Sequence, residues 1–162
     1  MSRSINQLSQ TLFNGSKKIA LAIAILLTVG VSSFANPTEG RNDAIDASFR
    51  KDFKKAELLS TEVRKDYTKL TFKMNDMVLF AFYSDNGELL AVTRNIKSNQ
   101  LPIQLLLQMK KDYSNFWITD LFEYNGDGTC NYYVTLENSS TRVTLRSAGS
   151  NSWEVYDKKV KE

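Results

Sequence analysis

Hydrophobic residues between positions 42 and 96 recur first every four positions and then every second position. Ile45, Phe49 and Phe53 are spaced four apart in the otherwise polar segment 42–56, which predicts an amphipathic helix of about four turns. The period then changes to two, which is typical of β-strands. The strands are expected over residues 58–63, 67–74, 77–83 and 88–96. Turn residues, including the pair Asn86-Gly87, separate the last three and favour tight hairpins.

The second half of the chain follows the same order. Pro102 suits the first turn of a helix, where its missing N–H is no loss. That helix is expected to end near residue 115 and to bury the side marked by Ile103, Leu106, Leu107 and Tyr113. Four more strands are predicted over residues 117–124, 130–137, 141–147 and 152–157, separated by runs rich in Asn, Gly, Ser and Asp.

A short pattern links the two halves. Residues 49–53 (FRKDF) and 109–113 (MKKDY) share the order apolar, basic, basic, Asp, aromatic. We interpret residues 42–96 and 99–158 as a tandem repeat, each unit a helix followed by about four antiparallel strands. One unit alone would leave a face uncovered, so both are expected to form a single α+β domain with the helices packed on one face of the sheet.

The N-terminal segment has the features of an export signal. Lys17 and Lys18 precede the apolar run 19–31, and Ser33-Phe34-Ala35 offers small residues at both positions that signal peptidase reads. The run is shorter than the roughly 20 residues that span a bilayer, which disfavours an uncleaved anchor. We therefore predict a signal peptide over residues 1–35, cleaved after Ala35, a flexible lead over 36–41 and a domain over 42–162. The expected location is periplasmic or secreted.

Removal of this segment changes the charge balance. The chain has 21 Lys and Arg against 18 Asp and Glu, and Arg3, Lys17 and Lys18 all lie in the predicted signal peptide. The remaining chain then carries equal numbers of basic and acidic residues. A concentrated basic surface for nucleic acid is not expected.

The composition argues against most catalytic chemistry. The chain has no histidine, which removes His-based acid–base relays, nucleophile activation and His-ligated zinc. Cys130 is the only cysteine, so an intramolecular disulfide is excluded. We expect Cys130 to be a small buried hydrophobe at the start of a strand, in preference to a reactive thiol or an intermolecular bridge.

Carboxylate pairs are the remaining catalytic alternative. Asp120 and Glu123, or Asp85 and Glu88, are close enough in sequence to converge, although the second pair flanks a hairpin and is expected to be solvated. The run 125–128 (NGDG) lacks the alternating ligands of a calcium loop and indicates a plain turn. No catalytic residue, cofactor or metal ligand is predicted.

Strand alternation instead predicts an interaction surface. It places Val134 and Leu136 toward the helices and Tyr133 and Thr135 on the other side of the sheet. Tyr, Trp and Arg dominate interface hot spots, while Tyr and Thr are also simply good strand formers. The candidate face comprises Tyr133, Thr135, Arg142, Thr144, Arg146 and Tyr156, with Trp117 or Trp153 at its edge.

The chain resembles a known family in four stretches. These are residues 49–56 (FRKDFKKA), 79–96 (LFAFYSDNGELLAVTRNI), Leu101-Pro102 and 132–138 (YYVTLEN). In them it is similar to the PepSY-like, β-lactamase-inhibitor-like family of small exported proteins common in Bacteroidetes, over about residues 42–158. The resemblance implies the repeated helix and antiparallel sheet. It implies no activity and carries over no residue set for inhibition.

Two functions remain open from the sequence. The favoured one is a non-catalytic binding or inhibitory module of the cell envelope, which presents its sheet face to a protein or peptide. The alternative is a periplasmic small-ligand-binding or sensor protein with a pocket between sheet and helices. A flat face of Tyr and Arg would favour the first, and an apolar cavity with converging polar groups would favour the second.

Overall fold

The computed structural model describes residues 42–161. The predicted signal peptide (1–35) and lead (36–41) lie outside the described residues. The elements, in chain order, are α1 (Asp43–Asp52), β1 (Glu57–Val63), β2 (Thr68–Met74), β3 (Met77–Tyr83), β4 (Leu89–Asn95), a 3₁₀ turn (Ser98–Gln100), α2 (Ile103–Asp112), β5 (Trp117–Gly126), β6 (Thr129–Glu137), β7 (Thr141–Ala148) and β8 (Ser152–Val160).

The eight strands form one antiparallel sheet in the order β1 to β8, so each strand pairs with its neighbours in sequence. Tight turns make this order easy to reach. Asn75 and Asp76 both have positive φ (50° and 60°), as a two-residue hairpin between β2 and β3 requires. The α+β class and the antiparallel sheet agree with the sequence prediction.

Side-chain capping determines where α1 begins. The Asn42 Oδ1 accepts a hydrogen bond from the Ile45 N–H at 2.9 Å, and its Nδ2 donates to the Asp85 carbonyl at 2.8 Å. The helix ends at Asp52, four residues before the end of the segment 42–56 that the spacing of apolar residues predicts to be helical. Lys55 then has a φ of 68°, outside the helical range. The Asn42 side chain therefore caps the first turn of α1 and also bonds the start of the helix to the hairpin between β3 and β4.

The first half of the core lies under α1. Ile45 and Phe49 of the helix are buried against strand residues that include Leu70 and Phe72. The Phe72 ring lies 5.2 Å from Phe49 and 4.6 Å from Phe53 between centroids. Phe53 thus contributes to the core although it lies one residue beyond the helix.

The second half of the core lies under α2, but on a different side of the helix from the predicted one. Leu105 and Met109 are the buried residues, whereas Ile103 and Leu107 are 61% and 54% exposed. The expectation that Ile103 and Leu107 face the core is wrong. The indole Nε1 of Trp153 donates to the Leu105 carbonyl at 2.9 Å, so the contact with β8 orients this side of α2 toward the sheet.

Both helices pack on the same face of the sheet. Ala81 under α1 pairs with Val92 in β4, and two residues further Arg94 pairs with Glu123. Leu121, two residues from Glu123, belongs to the core under α2. Because side chains two apart share a face, this register joins both cores on one face. Within residues 42–161 neither helix has the length and apolar character that crossing a membrane would need.

Candidate interaction face

Aromatic rings occupy the centre of the sheet face opposite the two helices. Phe122 of β5 lies opposite Tyr133 of β6, and their rings stack with centroids 5.2 Å apart and planes 8° from parallel. The Tyr124 and Tyr156 rings meet Tyr133 at 6.0 Å and 5.5 Å in steep, edge-type geometries. Stacked and edge-type contacts are both arrangements in which the quadrupoles of two aromatic rings attract each other. We call the surface formed by Phe122, Tyr124, Tyr133 and Tyr156 the aromatic face.

A β-bulge brings Tyr156 to this face. Thr144 pairs with Asp157 and Leu145 pairs with Val155, which leaves Tyr156 as an extra residue in β8. A bulge changes the direction of a side chain relative to regular alternation. The Tyr156 ring thereby reaches Tyr133, which lies two strands away.

The phenols of this face are neutral at physiological pH. Burial raises the pKa of the Tyr133 and Tyr124 hydroxyls above their ordinary value. Burial, with a further contribution from Tyr133, raises the pKa of Tyr156 to about 12. Neutral phenols both donate and accept hydrogen bonds, so Tyr156, the least buried of the three, can contact polar groups of a partner without adding charge.

Ion pairs border the aromatic face. Arg146 lies 3.3 Å from Glu154, and Glu137 accepts from Arg142 at 3.4 Å and from Lys161 at 2.6 Å. These side chains are mostly exposed, and exposed pairs stabilise a fold little. These charged side chains therefore surround a centre in which Phe122, Tyr124 and Tyr133 are only 5%, 6% and 3% exposed.

Seven of the eight residues predicted from the sequence lie on this side of the sheet. The register pairs Tyr133 with Arg146, Thr135 with Thr144, and Glu137 with Arg142. Trp117 pairs with Glu137, so it lies at the end of the same face. Its ring lies 5.3 Å from the Lys161 Nζ. The seven are Trp117, Tyr133, Thr135, Arg142, Thr144, Arg146 and Tyr156.

Trp153 is the exception and corrects the sequence-based prediction. It pairs with Ser147 and packs against the core under α2, on the opposite side of the sheet. Two hydrogen bonds hold it there. The indole N–H donates to the Leu105 carbonyl, and the main-chain N–H donates to the Gln108 side-chain oxygen at 3.1 Å. Trp153 is therefore part of the contact between α2 and β8.

The predicted face is less open than alternation suggested. Tyr133, Thr135 and Thr144 are only 3%, 2% and 6% exposed. The Thr135 and Thr144 hydroxyls lie 3.2 Å apart and share a hydrogen bond. The exposed members are Trp117 and the two arginines, so a partner would meet these side chains first.

Sequence reasoning missed the contribution of β5 to this face. Phe122 and Tyr124 alternate with Leu121 and Glu123, so the period of two was visible. Their pairing with β6 was not visible, because register depends on contacts between strands. Asp120 belongs to the same side, since it pairs with Thr135.

The carboxylate pair considered from the sequence does not form. Asp120 lies on the aromatic side of β5, and Glu123 lies on the helix side, where it pairs with Arg94 at 2.9 Å. Odd spacing along a strand sends side chains to opposite faces. Among residues 42–161, no group of His, Cys, Asp or Glu side chains has the arrangement of a metal site.

Cys130 is exposed, which contradicts its predicted burial. It lies in β6 opposite Asn125, beside the turn that joins β5 to β6. Partial burial, with the nearby Glu123 carboxylate, raises the pKa of the thiol above its ordinary value. The thiolate fraction, and with it the nucleophilicity, is correspondingly reduced.

A cleft opens where β4 diverges from β5. Its volume is about 380 Å³. It is lined by residues 95–98 and 118–121. Burial raises the pKa of the Asp120 carboxyl in this cleft, while a hydrogen bond from the Leu121 N–H and the charge of Arg142 lower it less strongly.

We expect Asp120 to make the fold less stable as pH rises above its ordinary pKa of 3.8. The folded protein holds the proton to a higher pH than the unfolded chain, so the loss of stability develops between the unfolded and folded pKa values. Asp120→Asn removes this loss and keeps an oxygen for the Leu121 N–H. The free energy of unfolding, measured with urea at pH 3 and pH 7, should change further toward higher stability for the variant than for the parent, whatever the sign of the parent's own change.

The matched control is Asp76→Asn, because the Asp76 side chain is 97% exposed. It should leave the pH dependence of the free energy of unfolding unchanged. An equal change in both variants would contradict the assignment to the burial of Asp120.

Comparison with known proteins identifies the fold. No family model and no curated protein matches the sequence. Among solved structures, a DUF2874 family protein from Bacteroides uniformis aligns with a TM-score of 0.65 at 10% identity, over 74% of this chain and 89% of that one. A protein from Bacteroides eggerthii, whose description proposes a periplasmic location, aligns with a TM-score of 0.63 at 10% identity, over 74% and 88% of the two chains.

A third structure is relevant to the resemblance seen in the sequence. A BLIP-like protein from Bacteroides fragilis aligns with a TM-score of 0.62 at 17% identity, over 79% of this chain and 89% of that one. The β-lactamase-inhibitor-like part of the resemblance is thereby supported, while the PepSY-like part stays a prediction. At these identities the comparisons show that the chain has the fold of the DUF2874 and BLIP-like proteins of Bacteroides.

Proposed function

We propose that this chain is an exported, non-catalytic binding module of the cell envelope, whose aromatic face receives a protein or peptide partner. The observation that carries the proposal is the group of accessible side chains on the face opposite the helices, Trp117, Arg142 and Arg146, which are 53%, 51% and 38% exposed. They lie around the ring cluster, of which Tyr156 is half-buried while Phe122, Tyr124 and Tyr133 are buried and form its support. Aromatic residues and arginine are the types that contribute most to binding at protein interfaces.

Export is part of the same proposal. The N-terminal features predict cleavage after Ala35 and a periplasmic or secreted domain. The structural neighbour with a proposed periplasmic location supports this placement. Inhibition of an enzyme by the aromatic face is a narrower form of the proposal, and the BLIP-like neighbour supports it by fold alone.

We also propose that the two halves are a tandem repeat. The order of a helix followed by four strands occurs twice. Phe49 and Met109, which match in the sequence pattern, are both buried residues of their helices. Each also accepts, through its carbonyl, the N–H of the residue that caps its helix, Phe53 or Tyr113. These equivalent positions support duplication of one unit.

The small-ligand alternative receives less support. It requires a pocket between sheet and helices, but that region contains fully buried side chains such as Leu70, Leu105 and Leu145. The cleft of about 380 Å³ opens instead at the divergence of β4 and β5. We therefore favour a macromolecular partner.

The proposal predicts that Arg146→Ala/Tyr156→Ala weakens capture of the natural partner by about 30-fold or more, because hot-spot residues contribute about 2 kcal/mol or more. The exported protein would be tagged, and envelope proteins retained at increasing concentrations would be quantified by mass spectrometry. Tyr133 is left intact because its burial would mix folding effects with binding effects.

The control is Ile103→Ala/Leu107→Ala, which alters two apolar side chains on α2, at the other side of the sheet, that are 61% and 54% exposed and so more accessible than Arg146 and Tyr156. This control should retain the partner at the parent level. Urea unfolding of each variant verifies that the fold persists. Retention of the partner by Arg146→Ala/Tyr156→Ala, or its loss from the α2 control alone, would refute the assignment to the aromatic face.

A further inference from the structure

A stretch of β5 lacks a strand partner on one side, although it lies inside the sheet. β4 pairs with β5 only from Val92 opposite Asn125 to Asn95 opposite Phe122. The Ile96 N–H then donates to the Leu121 carbonyl at 3.1 Å, and the chain turns away into the 3₁₀ turn. Within the described chain, Trp117, Ile118 and Asp120 pair with β6, Thr119 is the extra residue of a β-bulge, and none of the four has a strand on the side of β4.

This interruption has the dimensions of a short extended peptide. Four strand residues span about 13 Å. The cleft beside them has a volume of about 380 Å³, within the range of about 300–1,000 Å³ usual for ligand sites. An unpaired strand side offers N–H and C=O groups to a further strand, which is how several domains bind extended peptides.

The side chains around the interruption specify the ligand further. Trp117 and Ile118 are 53% and 41% exposed and present apolar surface on alternate sides of the strand. Asp120 is half-buried and forms no ion pair within residues 42–161, whereas the nearby Glu137 is paired with both Arg142 and Lys161. Arg142 attracts Asp120 only at a distance and is itself paired with Glu137, so a basic side chain of the ligand would supply a direct ion pair that Asp120 lacks within residues 42–161.

We propose that an extended peptide segment of the partner adds as a strand along residues 117–120 of β5, with a basic side chain beside Asp120. This inference rests on the proposed function, since it specifies how the partner of the aromatic face is held. Main-chain hydrogen bonds to β5 provide affinity for an extended backbone, and Asp120 with Trp117 selects the side chains.

The test begins with a display library of random heptapeptides selected against the exported protein. Selected peptides are expected to be rich in Lys or Arg, and each would be titrated into ¹⁵N-labelled protein. Binding should slow amide hydrogen exchange within residues 117–120 by about tenfold or more, because exchange reports newly formed main-chain hydrogen bonds. Amides of the outer strands β1 and β8 should not change.

Two variants of equal chemistry separate the contact from general electrostatics. Asp120→Asn should weaken binding of the basic peptides by about tenfold, because it removes a charge-assisted contact. Asp76→Asn, in the hairpin between β2 and β3, changes a 97% exposed carboxylate in the same way and should leave their affinity unchanged. Equal losses in both variants would show that basic peptides are attracted by net charge without strand addition, and would overturn the proposal.

The other outcomes are also decisive. Failure to select any peptide, protection of β1 or β8 instead of residues 117–120, or protection of residues 117–120 in a peptide-free dimer would each overturn strand addition. The capture experiment with Arg146→Ala/Tyr156→Ala is independent of these results. A partner captured through the aromatic face without protection of residues 117–120 would retain the proposed function and reject only this inference.

Discussion

Replacing Gly87 with alanine is expected to lower the free energy of unfolding by about 3 kcal/mol. Gly87 has a φ of 76°, which favours glycine. A Cβ atom there would lie 2.7 Å from the Ala44 carbonyl oxygen, a main-chain atom of α1. The helix cannot easily retreat, because the Asn42 side chain ties its start to Asp85 in the same hairpin. The variant must therefore distort either the turn or the first turn of the helix.

Gly149→Ala provides the matched comparison. Gly149 also has a positive φ, 67°, but a Cβ there would meet nothing within 4 Å. Gly149→Ala should lower the free energy of unfolding by about 1 kcal/mol, which is the effect of the positive φ alone. Urea unfolding of both variants measures the difference. Equal destabilisation would show that the approach of α1 to the hairpin contributes nothing.

Replacing Tyr133 with alanine is expected to cost about 3–5 kcal/mol, as usual for a large buried aromatic residue. The Tyr133 ring contacts Phe122 and Tyr124 of β5 and Tyr156 of β8, and only 3% of the residue is exposed. Its removal would leave a cavity bordered by three rings at once. Thermal or urea unfolding gives the loss, and near-UV circular dichroism should show the weakened tyrosine packing.

Tyr132→Ala is the control for the adjacent position. Tyr132 projects to the other side of β6 and is only partly buried against the core under α2. Its loss should cost about 1–2 kcal/mol. A Tyr133→Ala variant as stable as Tyr132→Ala would mean that the ring cluster does not stabilise the sheet.

The sequence was sufficient to predict the strands and their turns. Most strands show a period of two, β3 (MVLFAFY) is apolar on both faces, and residues such as Asn75-Asp76 and Gly87 mark the sharp turns with positive φ. Because the connections within β1–β4 and within β5–β8 are short, the strands of each half pair in sequence order, whereas the pairing of β4 with β5 follows a connection that contains α2. The α+β class follows from these local features alone.

The buried side of α2 was not predictable in the same way. Five of the seven residues from Ile103 to Met109 are apolar, so the pattern does not select one side. The choice depends on Trp153, which is far away in sequence and bonds to the Leu105 carbonyl. The same bond explains why Trp153 is absent from the aromatic face.

The composition of the candidate site was only partly predictable. Alternation correctly assigned Tyr133 and Val134 to opposite sides of β6. It could not give the exposed fraction of Tyr133, which depends on rings from β5 and β8. The bulges at residues 119 and 156 were equally invisible, because an extra residue is defined only against its partner strand.

The strict sequential order of the strands has a mechanical consequence. The first and last strands are the two edges of the sheet, and each inner strand is hydrogen-bonded only to its neighbours in the chain. A load that pulls the two edges apart across the sheet would open one row of hydrogen bonds at a time. We expect such a sheet to yield at low force in successive hairpin-sized steps, whereas a load along the strands would have to shear whole ladders together.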